Sequence, residues 1–248
     1  MDQKRNEMKV KELEEDGKMY KIEYLGEKLE KQYPTRKVII IGRSGSGKTS
    51  ISFSLIKDEF KEWSPTVSLD LGNYQIKVND KIIQIQLWDT CGNDEFAANT
   101  PNLFNNTFIA IIVYAIDNKK SFEEVGKWFN ILRDRSKESL VYLIGNKCDL
   151  INERIIQKIK GEELKQLYNF NYFLETSAKS GFNIINLLDK LAITIYEKEQ
   201  QKDEKDKEIN TGRISLDKNQ EIDNIEFKKK KNVANLELLI NFLIIYSI

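Results

Sequence analysis

Histidine is absent from all 248 residues of the sequence. With it go the usual general base, the commonest zinc ligand and every triad in which an imidazole activates a serine or cysteine. Any chemistry must then run on phosphate binding, carboxylates, amides or a metal held by oxygen. Cysteine is scarce too: Cys91 and Cys148 stand in separate polar segments and make no disulfide framework, which suits a reducing compartment. Neither sign of charge is in excess, with 39 basic and 39 acidic residues. No overall field draws the chain to nucleic acid, and no nucleic-acid partner is expected. The first 31 residues mix acids and bases without the apolar run of a signal peptide, so a cytoplasmic location is expected.

What is present falls into four stretches: a charged N-terminal extension (1–34), a globular domain (35–197), a charged linker with a polybasic run (198–231) and an apolar C-terminal tail (232–248). The extension is expected to be partly helical or disordered. In the globular part, Arg36 to Ile41 is a β-branched run of the kind that forms a buried strand, and a helix should begin near Gly47. Leu69 to Val78 and Lys81 to Trp88 read as strands joined by a turn at Asn79-Asp80. Phe108 to Ile116 and Leu140 to Ile144 are continuous apolar runs, and Ser121-Phe122-Glu123-Glu124 has the form of a capping box opening a helix toward Arg135. A helix over 157–168, a strand over 172–176 and a helix from Ile184 complete the alternation, and Glu197 to Asp206 should continue the last helix. The fold class implied is α/β: a mostly parallel, doubly wound sheet with one antiparallel edge strand and ligands at the carboxyl ends of its strands.

At the first of those ends, Gly42-Arg43-Ser44-Gly45-Ser46-Gly47-Lys48-Thr49 fits G-x-x-x-x-G-K-[ST] between strand and helix. The glycines let backbone N–H groups turn inward around phosphates, and the helix N-terminus adds its positive end. Ser44, Gly45, Ser46, Gly47, Lys48, Thr49 and Ser50 are the expected phosphate-binding residues, Lys48 reaching the outer phosphates and Thr49 offering its hydroxyl to Mg²⁺. The loop does not say which nucleotide it holds.

The choice of base is written elsewhere. Asn146-Lys147-Cys148-Asp149 follows one strand and Thr176-Ser177-Ala178-Lys179 follows the next. Asp149 can accept two hydrogen bonds from guanine N1–H and its exocyclic amine, which adenine cannot supply. A buried carboxylate left unpaired by the wrong base discriminates by roughly 10⁴. Asn146 would tie the two loops together, Lys147 would lay its stem over the ring, and the Ala178 N–H would meet the guanine oxygen, with Ser177 and Lys179 beside it. This pocket argues against an adenine-specific kinase or ATPase and for GTP/GDP.

These motifs, in this order, resemble those of Ras-superfamily small GTPases over roughly residues 35–196, and most of all the Rab branch. Rab-like stretches include Gln86-Leu87-Trp88-Asp89-Thr90, Ser121-Phe122 followed by Trp128, Ile144 to Leu150, and Glu175 to Lys179. No extra helix separates the last two motifs, unlike Rho, and Asp2 replaces the glycine that Arf would need for myristoylation. The resemblance implies that Thr66 closes over Mg²⁺ and the terminal phosphate, that Phe60 stacks beside guanine, that Asp89 holds Mg²⁺ through water and that Gly92 contacts the terminal phosphate. The expected catalytic set is Asn93, Gly92, Thr66 and Lys48, and the expected metal set is Thr49, Thr66 and Asp89. It also implies exchange factors, GTPase-activating proteins and effectors as partners, and a role in vesicle and membrane traffic.

The sequence departs from that family at Asp89-Thr90-Cys91-Gly92-Asn93, where alanine and glutamine are usual at the Cys91 and Asn93 positions. The glutamine orients the attacking water in such enzymes. Asparagine carries the same amide on a shorter arm, and about 1 Å of misplacement costs on the order of 10² in rate, so slow intrinsic hydrolysis is expected. A different class of reading is a GTP-binding interaction module with negligible hydrolysis, held in its active form by Asn93. Val67 to Leu71 also differs from the usual Rab switch, and the segment from Phe60 to Thr66 is one residue short. No cysteine follows Cys148, so prenylation is not expected. Instead Lys228 to Lys231 precedes an apolar stretch from Leu236 to Ile248, too short to span a bilayer but suited to peripheral contact with an anionic intracellular membrane.

Overall fold

Short β-branched runs build the centre of the sheet. Val38 to Ile41 of β3 (Thr35–Ile41) and Ile109 to Val113 of β6 (Thr107–Ala115) are fully buried, because helices cover both faces and a doubly shielded strand needs no polar alternation. The computed structural model describes residues 10–27, 33–57, 60, 70–92 and 101–210. Among them β3 pairs in parallel with β6 and with β5 (Lys81–Asp89), and β7 (Leu140–Asn146) and β8 (Tyr172–Glu175) extend the parallel run. β4 (Asp70–Val78) turns back antiparallel to β5 through Asn79, which sits at φ 53° in the left-handed region that asparagine tolerates.

Alternate residues of each central strand point to opposite layers. Val38, Ile40 and Ile111 join Ile51 and Leu55 of α1 (Lys48–Lys57) and Leu187 and Leu191 of α5 (Ile184–Asn210) in one apolar cluster. Ile39, Ile41 and Ile112 join Trp128 and Leu132 on the other face. That second layer holds α2 (Lys119–Glu123), α3 (Val125–Arg135) and α4 (Lys158–Tyr168). The expected doubly wound α/β sheet with an antiparallel edge is therefore present, in the order β1-β2-β4-β5-β3-β6-β7-β8 once β1 (Val10–Glu15) and β2 (Lys18–Gly26) are counted.

Those two strands correct the expectation for the charged extension. Residues 10–26 form a hairpin, neither helical nor disordered, whose turn at Asp16 (φ 50°) and Gly17 (φ 74°) has both central residues left-handed. Such a turn matches the twist of the flanking strands. β2 lies antiparallel along β4 from Val78 to Gln75, so the antiparallel edge is three strands deep. Tyr20 and Ile22 point inward to the α1/α5 cluster and are buried, while Glu12, Glu14 and Lys21 alternate outward. The polar half of the alternation is the solvent face of a strand.

A second correction concerns the capping box. The helix begins at Lys119, capped by Asn118, whose Oδ1 accepts from the Ser121 N–H at 3.0 Å. Ser121 is buried, and its hydroxyl accepts the Ala115 N–H at 2.9 Å and donates to Asn118 O at 2.7 Å. It closes the end of β6 and is not available to cap. The chain divides into two units, Met1–Glu197 and Lys198–Ile248. The expected helical continuation past Glu197 is present, running to Asn210. The polybasic run and apolar tail lie outside the described residues, and among those described no helix is long and apolar enough to cross a membrane.

Candidate functional site

The parallel strands deliver their following loops to one side of the sheet. Gly42 leaves β3 at φ 138°, where a β-carbon would run into the Val113 carbonyl. Only glycine can open the loop there. The loop Arg43 to Gly47 then leads into α1, whose first residues are Lys48, Thr49 and Ser50. Lys48 is buried, its Nζ donates to Arg43 O at 3.1 Å, and burial pulls its pKa down to about 8 against the opposing charge of Asp89. An ammonium held that way lacks water and gains from an incoming phosphate.

Opposite the loop, the Gly92 carbonyl accepts from the Ser44 N–H at 3.2 Å. A β-carbon at Gly92 would crowd Ser44 N and Lys48 Nζ, so the chain after β5 can approach the phosphate loop this closely only as glycine. Thr49 Oγ1 donates to Asp89 Oδ2 at 2.6 Å, and Thr90 Oγ1 pins the neighbouring backbone by donating to Ile40 O at 2.7 Å. The donor set fits a hard cation: two oxygen-bearing side chains at the mouth of a phosphate loop, with substrate oxygens and water to complete the shell. Among the described residues no cluster of three or more histidine, cysteine or acidic side chains could hold a metal by itself.

The base-reading loops meet the phosphate loop at Asn146. Its Nδ2 donates to Ser46 O at 3.0 Å, and its Oδ1 accepts from Thr176 Oγ1 and the Ala178 N–H, each at 3.3 Å. Ser177 Oγ donates to Asp149 Oδ1 at 2.5 Å, and the Cys148 N–H donates to Thr176 O at 3.1 Å, which fixes the Asp149 carboxylate on the wall. Gly47, Ser50, Phe60, Asn146, Lys147, Asp149, Leu150, Ala178 and Lys179 line one cleft of about 190 Å³ that opens to solvent. Its floor is the start of α1, so base and phosphate determinants share a single hollow. Ser46 is fully buried, and its Oγ takes no hydrogen bond among the described residues.

The structure thus brings together Ser44 to Ser50, Asp89, Gly92, Phe60 and the two base-reading motifs. Thr66 and Asn93 lie outside the described residues. The motifs do not announce Leu150 as part of the cleft, nor two ion pairs on the loops that follow the strands: Arg43 with Glu124, and Lys147 with Asp117 at 3.3 Å. Both join residues far apart in sequence, and no local pattern announces them.

The Ras family model matches residues 37–197, which leaves the hairpin outside the match. Ras-related protein Rab-10 of Diplobatis ommata is 34% identical over 164 residues, covering 65% of this chain and 82% of that protein.

Proposed function

The chain belongs to the Ras family of small GTPases, and from that premise we propose that it is a Rab-like switch for membrane traffic that binds GTP and GDP and hydrolyses GTP slowly when unaided. The observation that carries the reading is the cleft in which Asp149, Asn146 and Ala178 meet the end of the phosphate loop at Gly47 and the start of α1. Asp149, held by Ser177, offers a carboxylate to a purine bearing a 2-amino group. Lys48 presents its charge to the outer phosphates. Thr49 and Asp89 would hold Mg²⁺, which would neutralise charge on the phosphates. Asn93 orients water less well than glutamine would, which supports the slow rate.

Comparison of GDP with ADP binding to the purified protein tests the assignment. GDP should bind at least 10³-fold more tightly, and Asp149→Asn should abolish the preference; equal affinity for the two nucleotides ends the guanine reading. The slow rate is tested separately: Asn93→Gln should raise single-turnover hydrolysis by at least tenfold. Asn93 also favours a second reading, a GTP-retaining interaction module with negligible turnover. The nucleotide extracted from purified protein distinguishes them, GDP for the cycling switch and GTP for the module.

A further inference from the structure

Asp117 follows β6 in a segment tied to the base-reading loop by backbone hydrogen bonds. The Ile116 N–H donates to Asn146 O at 3.0 Å, and the Ile155 and Ile156 N–H groups both donate to Ile116 O at 2.9 Å. From this fixed point Asp117 Oδ2 accepts from Lys147 Nζ at 3.3 Å. Its other oxygen, Oδ1, is buried and takes no hydrogen bond among the described residues. Lys147 itself sits at φ 66°, unusual for a lysine, and its side chain lines the cleft. A buried acceptor without a donor is costly, and a fold keeps one where it serves a purpose. Here it belongs to the carboxylate that holds Lys147, a residue lining the cleft.

We infer that Asp117 is a positioning residue for the base clamp. By gripping the ammonium end it stretches the apolar stem of Lys147 along the cleft wall, so that the stem is in place before the base arrives. A lysine free in solvent would have to give up its rotamer freedom on binding, and the carboxylate removes that cost in advance. The neutral end of the same design would be an asparagine, which accepts from Lys147 but supplies no charge. This assignment rests on the reading of the cleft as a guanine-nucleotide site, and what it adds is control of residence time by a residue outside the nucleotide motifs.

The test is release of a fluorescent GDP analogue, chased with unlabelled GDP, from full-length protein. Asp117→Ala should release about tenfold faster, the size expected when one charge-assisted hydrogen bond that orders a binding group is lost. Asp117→Asn, nearly isosteric, should fall between it and the parent, and it keeps the test open should the alanine variant not fold. Lys147→Met retains the stem without the ammonium. In that background Asp117→Ala should change release by less than about twofold, because the two residues act as one unit. Unchanged release in the Asp117 variants, or effects that multiply fully in the double variant, overturn the inference. A parent protein that holds no GDP overturns the guanine reading and this inference with it, so the two failures are told apart by the parent alone.

Discussion

Gly42 shows how much of the site depends on single positions. With φ 138° and the Val113 carbonyl in the space a β-carbon needs, Gly42→Ala combines backbone strain with a clash against backbone that cannot step aside. A loss of about 3 kcal/mol or more is expected from the two effects together, read as a lower urea midpoint. At this scale the sequence was highly legible. Phosphate and base determinants lie in contiguous motifs whose spacing is set by the local turn, so Lys48, Thr49, Asn146, Asp149 and Ala178 are readable without knowledge of the fold. Asp117 and Glu124 were not. Each meets its partner across 30 and 81 residues of sequence respectively, and only the closed sheet brings them there.

At the scale of elements, the hairpin is held to α5 by a ladder of contacts. Lys11 and Tyr24 meet Asp189 at 2.8 and 2.6 Å, Glu15 pairs with Lys190, and Lys18 and Tyr20 meet Glu197 at 2.8 and 2.7 Å. Tyr20→Ala should destabilise the domain by about 3–5 kcal/mol, as for other buried aromatics, while Tyr20→Phe should cost about 1 kcal/mol for the hydrogen bond alone. Chemical denaturation of both variants checks the ratio. Lys18 first, and Tyr20 after it, hold the Glu197 carboxyl below its ordinary range against the contrary effect of burial. A carboxylate whose pKa is depressed by folding contributes stability above its unfolded value and loses it as pH falls through the folded one. Stability of the parent should therefore fall more steeply than that of Glu197→Gln below about pH 4, by under about 1 kcal/mol because the pair is partly exposed.

The hairpin was also where sequence reading failed. Its period-two pattern of Tyr20, Ile22 and Tyr24 and its Asp16-Gly17 turn are hairpin signals, but the intervening lysines and glutamates gave the segment the composition of a solvated tail. Charge marks the face that meets water and does not describe the whole segment. The central strands raised no such conflict, because residues buried on both faces leave no polar half to mislead. Ser121 failed for a different reason: its hydroxyl could cap a helix or close a strand end, and Asn118 took the first task.

For the whole molecule, removing residues 1–27 would bare the edge of β4 from Gln75 to Val78 and the apolar footprint of Tyr20 and Ile22. An unpaired edge beside apolar surface invites self-association. The truncated protein should melt at lower temperature and sediment faster as its concentration rises, yet bind GDP within about twofold of the parent, since the cleft lies at the opposite end of the strands. Sedimentation velocity and nucleotide titration on the same preparation would check both halves of that expectation.

The three bonds of Asn146 have a consequence for how the cleft lets go. One amide fastens the phosphate loop at Ser46 and the last motif at Thr176 and Ala178, so no wall can swing outward without slackening the other two. Release is then a concerted loosening, and a partner that levers on the phosphate end alone also undoes the hold on the purine.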